Sequence, residues 1–150
     1  MASPDWKIRS ASSADADGVL ELWAAAGVPS GISDTPEGIA SLLDDDPHAL
    51  LLAESREALI GSLIAAWDGW RGSFYRLAVE PDRRREGIAT ALLREGERRL
   101  RDRGALRLTA IVTEDDAPAL AFWAAAGYSL QPNRVRLLRH LDAGGAPTDR

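Results

Sequence analysis

The sequence feature that most restricts the possible folds is a junction between an apolar, strand-like segment and a long amphipathic helix. Phe74 to Val79 has the composition of a buried strand. A helical pattern follows Pro81 and three consecutive arginines, running from about Glu86 to Arg103 and stopping at Gly104. A chain with this junction is predicted to combine a sheet with helices.

Patterns elsewhere in the chain predict the remaining strands and helices. Capping groups and Pro or Gly boundaries predict helices from Ser12–Asp15 to about Ala26, from Ser33–Glu37 to Asp44–Pro47, and over Ala117–Ala126. Short apolar runs predict strands at Trp6–Arg9, Ala49–Glu54, Leu59–Trp67, Leu106–Val112, Tyr128–Leu130 and Arg134–Leu141. This order places antiparallel hairpins in the first half and strand–helix–strand crossovers in the second. We therefore predict a mixed α+β fold with helices on the faces of a central sheet.

Length, composition and charge restrict the class of protein. With 150 residues and 45% apolar content, the chain is expected to form one domain over residues 1–142, followed by a flexible tail over 143–150. The absence of cysteine excludes disulfides, thiolate ligands and a cysteine nucleophile. The two histidines, His48 and His140, do not suggest a metal site, so no metal is expected.

The same properties bear on location and partners. No uninterrupted apolar run is long enough for a membrane span, and the net charge is −5. We therefore expect a cytoplasmic protein that binds neither membranes nor nucleic acid.

The junction after the strand offers a site for an anion. The first N–H groups of a helix lack partners within it and, together with the helix dipole, attract phosphate oxygens. Gly87 and Ala89 are small enough to let a ligand approach the backbone, and the arginines at 83–85 would add charge-assisted hydrogen bonds. From helix physics alone, a solvated arginine-rich loop is an equally good interpretation.

Two motifs carry a resemblance to a known family. Arg84, Gly87 and Ala89, placed between a strand and a helix, resemble the coenzyme A binding motif of the GNAT N-acetyltransferase superfamily. Downstream, Ala119 and the segment Phe122 to Tyr128 resemble the aromatic helix end of the same superfamily. The resemblance implies a GNAT-like acyl-CoA N-acyltransferase fold, with a mostly antiparallel central sheet, one parallel and splayed pair of strands, and helices on both faces.

The resemblance also implies that acetyl-CoA is the acetyl donor. In this superfamily the pyrophosphate lies on the loop and helix start, the pantetheine arm pairs with the preceding strand, and the acetyl group lies where two parallel strands splay. An acceptor amine attacks the thioester directly, while a strand N–H such as that of Val79 polarises its carbonyl. The residues implied to bind the cofactor are Leu77, Ala78, Val79, Arg84, Arg85, Glu86, Gly87, Ile88, Ala89, Thr90, Asp116, Phe122 and Trp123.

The chain departs from the family pattern at two of these positions. Trp123 stands where the family often has a Tyr that protonates the leaving thiolate, and an indole N–H does not release a proton at working pH. Asp116 stands where the family often has an Asn that holds the cofactor arm. Tyr128 or Tyr75 would be the substitute acid, although packing is the commoner role for such residues.

A general base is expected to remove a proton from the ammonium group of the acceptor. Glu80 and Glu114 are the first candidates, ahead of Asp115, because all three are predicted at the ends of neighbouring strands, where open sheets hold their ligands. A solvated carboxylate is the alternative role for each, and a chain of water molecules is an alternative route for the proton.

The acceptor is expected to be a primary amine of a small molecule or of a protein. We expect Trp70 and Tyr75, with the turn from Trp67 to Gly72 and the segment from Gly27 to Thr35, to line its pocket. A homodimer is a further expectation, since dimers are common in the family.

Two other functions compete with catalysis. One is a non-catalytic module that senses CoA or acetyl-CoA, which the departures at Trp123 and Asp116 suggest. The weaker one is a nucleic-acid-binding domain that uses the arginine-rich helix. The i,i+4 pairs Glu95–Arg99 and Glu97–Arg101 favour an ordinary charged helix surface over this second possibility.

Overall fold

The structure is a computed structural model that describes residues 4–141. These residues divide into two compact units, one ending at Ile111 and the other beginning at Val112. The first unit holds a five-stranded sheet with three helices, and the described part of the second holds one helix. The predicted tail over 143–150 lies outside the described residues, and a single domain over 1–142 stays a prediction.

The sheet follows the chain order, from β1 to β5. Neighbouring strands are antiparallel from β1 to β4, whereas β4 and β5 are parallel and joined through a helix. The strands are β1 Lys7–Ser10, β2 Leu50–Ser55, β3 Ala58–Trp67, β4 Gly72–Val79 and β5 Leu108–Ala110. The helices are α1 Ala16–Ala25, α2 Pro36–Asp45 and α3 Ile88–Arg103 in the first unit, and α4 Ala117–Ala125 in the second. The predicted mixed fold with a mostly antiparallel sheet is confirmed.

Local signals at the helix ends act as the sequence predicts. The Thr35 hydroxyl accepts a hydrogen bond of 2.9 Å from the Gly38 amide, with Pro36 in the first turn of α2. Gly104 adopts the left-handed conformation at the end of α3.

Side chains alternate along β2 and β3, so apolar residues reach both faces of the sheet. Leu50 and Leu52 belong to a buried cluster with residues of α1 and α2. On the opposite face, Leu63 and Ala65 lie against Gly96 of α3. Helices therefore cover both faces, as the family resemblance implies.

Two glycines allow α3 to approach the sheet closely. A Cβ atom on Gly96 would lie 2.9 Å from Cε1 of Phe74 and 3.0 Å from Cδ2 of Leu63. A Cβ atom on Gly61 of β3 would lie 2.8 Å from Cγ2 of Ile88, at the start of α3. This close approach fixes where the first turn of α3 sits over the sheet.

Strand β4 separates from β5 along its length. Only Gly72 to Phe74 pair with β5, so the half from Tyr75 to Val79 has no strand on that side within residues 4–141. The register against β3 shifts between Ser62 and Ile64, which places a bulge in β4. The parallel, splayed pair implied by the resemblance is confirmed.

Two predicted strands do not form. The structure assigns no strand between Val112 and Leu141, so the predictions at Tyr128–Leu130 and Arg134–Leu141 are wrong for this structure. The apolar residues of this alternating pattern are exposed in the structure, Val135 to 86% and Leu137 to 90%. A period of two makes a strand only where a neighbouring strand and a covering surface are present.

An ion cluster fixes the entry to α1. The Arg9 guanidinium donates to both carboxylate oxygens of Asp15, at 2.8 and 2.9 Å, and to Glu54 at 3.0 Å. The Ser12 amide also donates to Asp15, at 2.8 Å. The hydrogen bonds from Arg9 are the largest cause that lowers the pKa of Asp15 from 3.8 to about 2.

Substituting Asp15→Asn is expected to lower the free energy of unfolding at pH 7 by about 2 kcal/mol. The reason is that the pKa of Asp15 falls from 3.8 to about 2 on folding, and each pKa unit corresponds to about 1.4 kcal/mol of stability. The folded-state pKa is depressed, so the contribution is present above pH 3.8 and is lost as the pH falls towards 2. Urea denaturation at pH 7 and pH 2 measures both values. The control is Asp17→Asn, at an exposed acid in the first turn of α1, which should lower the free energy of unfolding by no more than about 0.5 kcal/mol. If Asp15→Asn lowered the free energy of unfolding equally at pH 7 and pH 2, the role assigned to Asp15 would be contradicted.

Candidate functional site

The loop between β4 and α3 leaves the start of α3 open. A short 3-10 turn spans Pro81–Arg83, and the helix begins at Ile88, where the Ala91 amide makes the first helical bond to the Gly87 carbonyl at 3.0 Å. Gly87 occupies the capping position in the left-handed conformation, with φ 82°. Because glycine has no side chain, it leaves the first amides of α3 without a capping acceptor, and these donors face an exposed loop.

The three arginines of the loop have different roles. Arg83 binds Glu86, with Nε at 2.8 Å from Oε2, and Asp5, with Nη2 at 2.7 Å from Oδ1. Arg84 and Arg85 are exposed and make no ion pair with the residues that the structure describes. Arg84 and Arg85 are therefore the cations available to an anion, whereas Arg83 and Glu86 hold the loop in shape.

Other predicted cofactor residues contribute through their backbone. Ile88 is almost fully buried against the sheet, so its side chain packs and only its amide faces the loop. The carboxylate of Glu86 accepts hydrogen bonds from Arg83, so this side chain shapes the loop. Ala89 is half-buried and Thr90 is exposed on the first turn of α3.

The free half of β4 presents backbone groups to the splay. The Glu80 amide donates to the Ile60 carbonyl of β3 at 2.8 Å, and Val79 stands opposite Gly61. In an antiparallel ladder, successive residues direct their N–H and C=O groups alternately towards the partner and away from it. The Val79 amide therefore points away from β3, while Ala78 is buried and pairs with Ser62. The predicted role of Val79 in cofactor binding stays a prediction.

The loop between α1 and α2 is tied to the same half of β4. The Arg76 guanidinium donates to Asp34 through Nε at 3.2 Å and Nη2 at 2.5 Å. The Gly31 amide donates to the same carboxylate at 2.7 Å. The segment from Gly27 to Thr35 thus lies beside the free half of β4, and Tyr75 is half-exposed on the adjoining part of that strand. Their predicted contact with the acceptor stays a prediction.

Trp70 lies at the other end of β4. It is 68% exposed in the turn before β4, with the Arg71 guanidinium 3.7 Å from the centroid of its ring. An open cavity of about 440 Å³ there is lined by Trp67, Gly69, Trp70, Arg71, Arg103, Gly104, Leu106 and Arg107. The seven strand steps from Gly72 to Val79 span roughly 23 Å, so Trp70 is far from the loop at the start of α3. The lining of this cavity includes no residue of the segment 27–35. An acceptor pocket shared by Trp70 and that segment stays a prediction.

In the second unit, the predicted site residues lie before, at the start of and after helix α4. Asp116 caps α4, since its Oδ1 accepts from the Ala119 amide at 3.1 Å. Trp123 stacks edge-to-face with Phe122 and with Tyr128, at centroid distances of 5.7 and 4.9 Å. Glu114 is exposed before this helix. Asp116 thus caps α4, and the ring of Tyr128 packs against that of Trp123.

The arginine-rich surface of α3 differs from its prediction in detail. The observed pairs are Arg94–Glu97, Arg98–Glu95 and Arg98–Asp102. The predicted pair Glu95–Arg99 is wrong, because Arg99 turns towards the sheet, where it pairs with Asp46 and donates to the Ala65 carbonyl at 3.2 Å. Glu97–Arg101 is replaced by Glu97–Arg94. The exposed arginines Arg94 and Arg98 are still balanced by acids.

Sequence reasoning did not select four residues that shape the site. Arg76 and Asp34 form the ion pair beside the splay, and Ser62 and Trp23 form a buried hydrogen bond of 2.8 Å beneath it. A serine in the middle of the apolar run of β3 was the available signal, because a buried hydroxyl needs a partner.

Within residues 4–141, no three His, Asp or Glu side chains are grouped so that they could hold a metal ion. None of the helices in that range is both long enough and apolar enough to cross a membrane.

Comparison with known proteins decides the family. Residues 17–128 match the model of the acetyltransferase (GNAT) family. The chain belongs to this family. An acetyltransferase of Yersinia enterocolitica is 34% identical over 125 residues, covering 83% of this chain and 89% of the relative. The family resemblance stated from the two motifs, and the prediction of an N-acetyltransferase enzyme, are confirmed.

Solved structures agree with the GNAT fold. The chain is similar to Ard1 from Thermoplasma volcanium, with a TM-score of 0.77 and 19% identity over 85% of each chain. It is also similar to the PaiA N-acetyltransferase from Thermoplasma acidophilum in complex with coenzyme A, with a TM-score of 0.72 and 19% identity over 85% of this chain and 92% of the other. At these identities the likeness supports the fold alone.

Proposed function

We propose that this GNAT-family member transfers the acetyl group of acetyl-CoA directly to a primary amine of a small molecule or a protein. The observation that carries the proposal is the open start of α3, where amides without a side-chain cap, Gly87 and two arginines meet at one exposed loop. The two arginines, Arg84 and Arg85, make no ion pair within residues 4–141. Amides at a helix start and guanidinium groups are the donors that bind a pyrophosphate.

The pantetheine arm would lie along the free edge of β4. The amide and carbonyl of Val79 point away from β3 and are available to the amide groups of this arm. The thioester would then reach the bulge in β4, next to the α1–α2 loop held by the Arg76–Asp34 pair. That loop and Tyr75 would contact the acceptor.

The reaction needs no covalent enzyme intermediate. The lone pair of the acceptor nitrogen attacks the thioester carbon, the C–S bond breaks, and the thiolate of CoA leaves and takes up a proton. Before attack, the acceptor ammonium must lose a proton, and we assign its removal to Glu80, directly or through water. Glu80 follows β4 at the splayed end, where its amide and carbonyl are held by Ile60 and Arg83. Glu114 is the alternative base.

The net charge of −5 favours an acceptor that is cationic as a whole. The cytoplasmic location and the homodimer expected from the sequence stay predictions.

A thiol-release assay tests the function. Acetyl-CoA is mixed with the protein and a panel of amines: peptides with free N-termini, a lysine peptide, a polyamine, an amino acid and an aminoglycoside. We expect at least one class to accelerate the release of free CoA above hydrolysis. Binding of CoA without acceleration by any amine would contradict the proposal.

Glu80→Gln tests the base. With the best amine of the panel, this variant should lower kcat by about 10²–10⁴-fold, because a general base contributes about that much. The dissociation constant for CoA, measured by calorimetry, should stay within a factor of two. Glu114→Gln is the comparison, and a loss of kcat there with none in Glu80→Gln would reassign the base.

A further inference from the structure

We propose that Trp23 and Ser62 are positioning residues that aim the Leu77 amide at the thioester carbonyl. The inference rests on the proposed function, because it concerns the part of β4 where the thioester would lie. It assigns a task to two buried side chains, on α1 and β3, that do not themselves touch the cofactor.

A buried chain of hydrogen bonds links α1 to the bulge of β4. The Trp23 indole donates through Nε1 to Ser62 Oγ at 2.8 Å, and Ser62 Oγ donates to the Arg76 carbonyl at 2.8 Å. Ser62 is fully buried and Trp23 nearly so. An indole N–H is only a donor, so the serine oxygen must accept from Trp23, and its single proton is directed to the Arg76 carbonyl.

The peptide that receives this bond lies within the bulge. Ser62 pairs with Ala78 and Ile64 pairs with Tyr75, so the two residues Arg76 and Leu77 stand opposite one residue of β3. Arg76 has φ 56°, in the left-handed region that side-chain-bearing residues seldom adopt. Such a conformation persists only where its surroundings hold it. The hydrogen bond from Ser62 is one such restraint.

The restraint sets the direction of the next amide. In a trans peptide, the carbonyl of one residue and the N–H of the following residue point in opposite directions. Because the Arg76 carbonyl is bound to Ser62 of β3, the Leu77 N–H points away from Ser62. This amide lies beyond the last pairing of β4 with β5, at Phe74 and Ala110, where the free edge begins. A donor fixed there can stabilise the oxyanion that develops on the thioester.

The side chain of Arg76 supplies a second restraint. Its guanidinium is held by two bonds to Asp34 and lies 5.6 Å from the centroid of the Trp23 ring. Trp23 therefore restrains the bulge twice, through Ser62 and through the face of its ring. The α1–α2 loop, the bulge and the buried chain form one connected unit.

The variants are Ser62→Ala, which removes both bonds, and Trp23→Phe, which keeps an aromatic ring and removes only the donor to Ser62. The control is Ser10→Ala. Ser10 is a half-buried serine of β1, several strands away from β4, and its hydroxyl makes a hydrogen bond of 3.2 Å with Nδ1 of His48. Trp23→Phe keeps the test usable if Ser62→Ala fails to fold.

Two measurements distinguish a positioning role of Ser62 and Trp23 from a purely structural one. The first is the infrared band of an isotope-labelled acetyl carbonyl in bound acetyl-CoA, without acceptor. We expect a shift to lower frequency in the unaltered protein and a return towards the solution frequency in Ser62→Ala, with an intermediate value in Trp23→Phe. The second is kcat with the best amine, which should fall about 10- to 100-fold in Ser62→Ala, while the dissociation constant for CoA stays within a factor of two. Ser10→Ala should change neither.

The following outcomes would overturn the inference. A carbonyl band shifted equally in the unaltered protein, Ser62→Ala and Trp23→Phe would show that the chain does not aim the donor. An equal loss of kcat in Ser10→Ala would show a general structural effect. If the unaltered protein does not bind acetyl-CoA, the proposed function itself fails, which is distinguishable from binding with an unaltered band.

Discussion

Gly87→Val is expected to weaken acetyl-CoA binding by about 100-fold or more, because it blocks amides that bind the pyrophosphate, and a hydrogen bond to a charged group contributes about 1.5–3 kcal/mol. Gly87 has φ 82°, which a β-branched residue adopts only with strain of roughly 1–2 kcal/mol. Apart from the two adjacent residues, a Cβ atom at this position would meet no atom of residues 4–141 within 4 Å. The valine side chain would therefore fill the space over the first amides of α3 without disturbing the core.

Gly104→Val is the matched control for this prediction. Gly104 ends the same helix, has φ 109°, and likewise has no protein atom within 4 Å of a Cβ. A valine at this position would therefore be strained to a similar degree, but at the opposite end of α3. Calorimetric titration with CoA should show the loss in Gly87→Val alone. Equal affinities in Gly87→Val and the unaltered protein would contradict the assigned pyrophosphate site.

Gly96→Leu is expected to cost about 3 kcal/mol or more of the free energy of unfolding, enough to unfold much of a marginally stable domain. Leucine is a better helix former than glycine, so helix propensity works against this loss and cannot cause it. The cause is overlap: even a Cβ would lie 2.9 Å from Phe74 and 3.0 Å from Leu63. A whole side chain would push α3 away from β3 and β4.

Arg101→Leu provides the comparison on the same helix. Arg101 is exposed, so the same introduced side chain should change stability by no more than about 0.5 kcal/mol. Urea denaturation followed by circular dichroism measures both variants. A midpoint for Gly96→Leu close to that of Arg101→Leu would show that α3 is not packed as tightly as described.

The elements that the sequence predicts well depend on neighbours along the chain. Helix α2 begins where Thr35 and Pro36 indicate, and α3 ends at Gly104, because capping involves residues within one helical turn. The loop motif is local in the same way. Arg84, Gly87 and Ala89 are close in sequence, so their juxtaposition at the start of α3 needs no information about the rest of the fold.

Predictions that needed distant partners were the ones that changed. Arg99 was assigned to Glu95 on its own helix, and instead reaches Asp46, 53 residues away. The alternating pattern at 134–141 predicted a strand, yet no neighbouring strand pairs with it in the described part of the chain.

By itself, the sequence determined the family, the succession of strands and helices up to α4, and the loop at the start of α3, because these depend on local spacing. Only the tertiary structure decided which side chains surround the free edge of β4. The Arg76–Asp34 pair joins residues 42 apart, and the Trp23–Ser62 bond joins residues 39 apart. Such contacts depend on the register of β3 against β4, and a single bulge changes that register without leaving a pattern in the sequence.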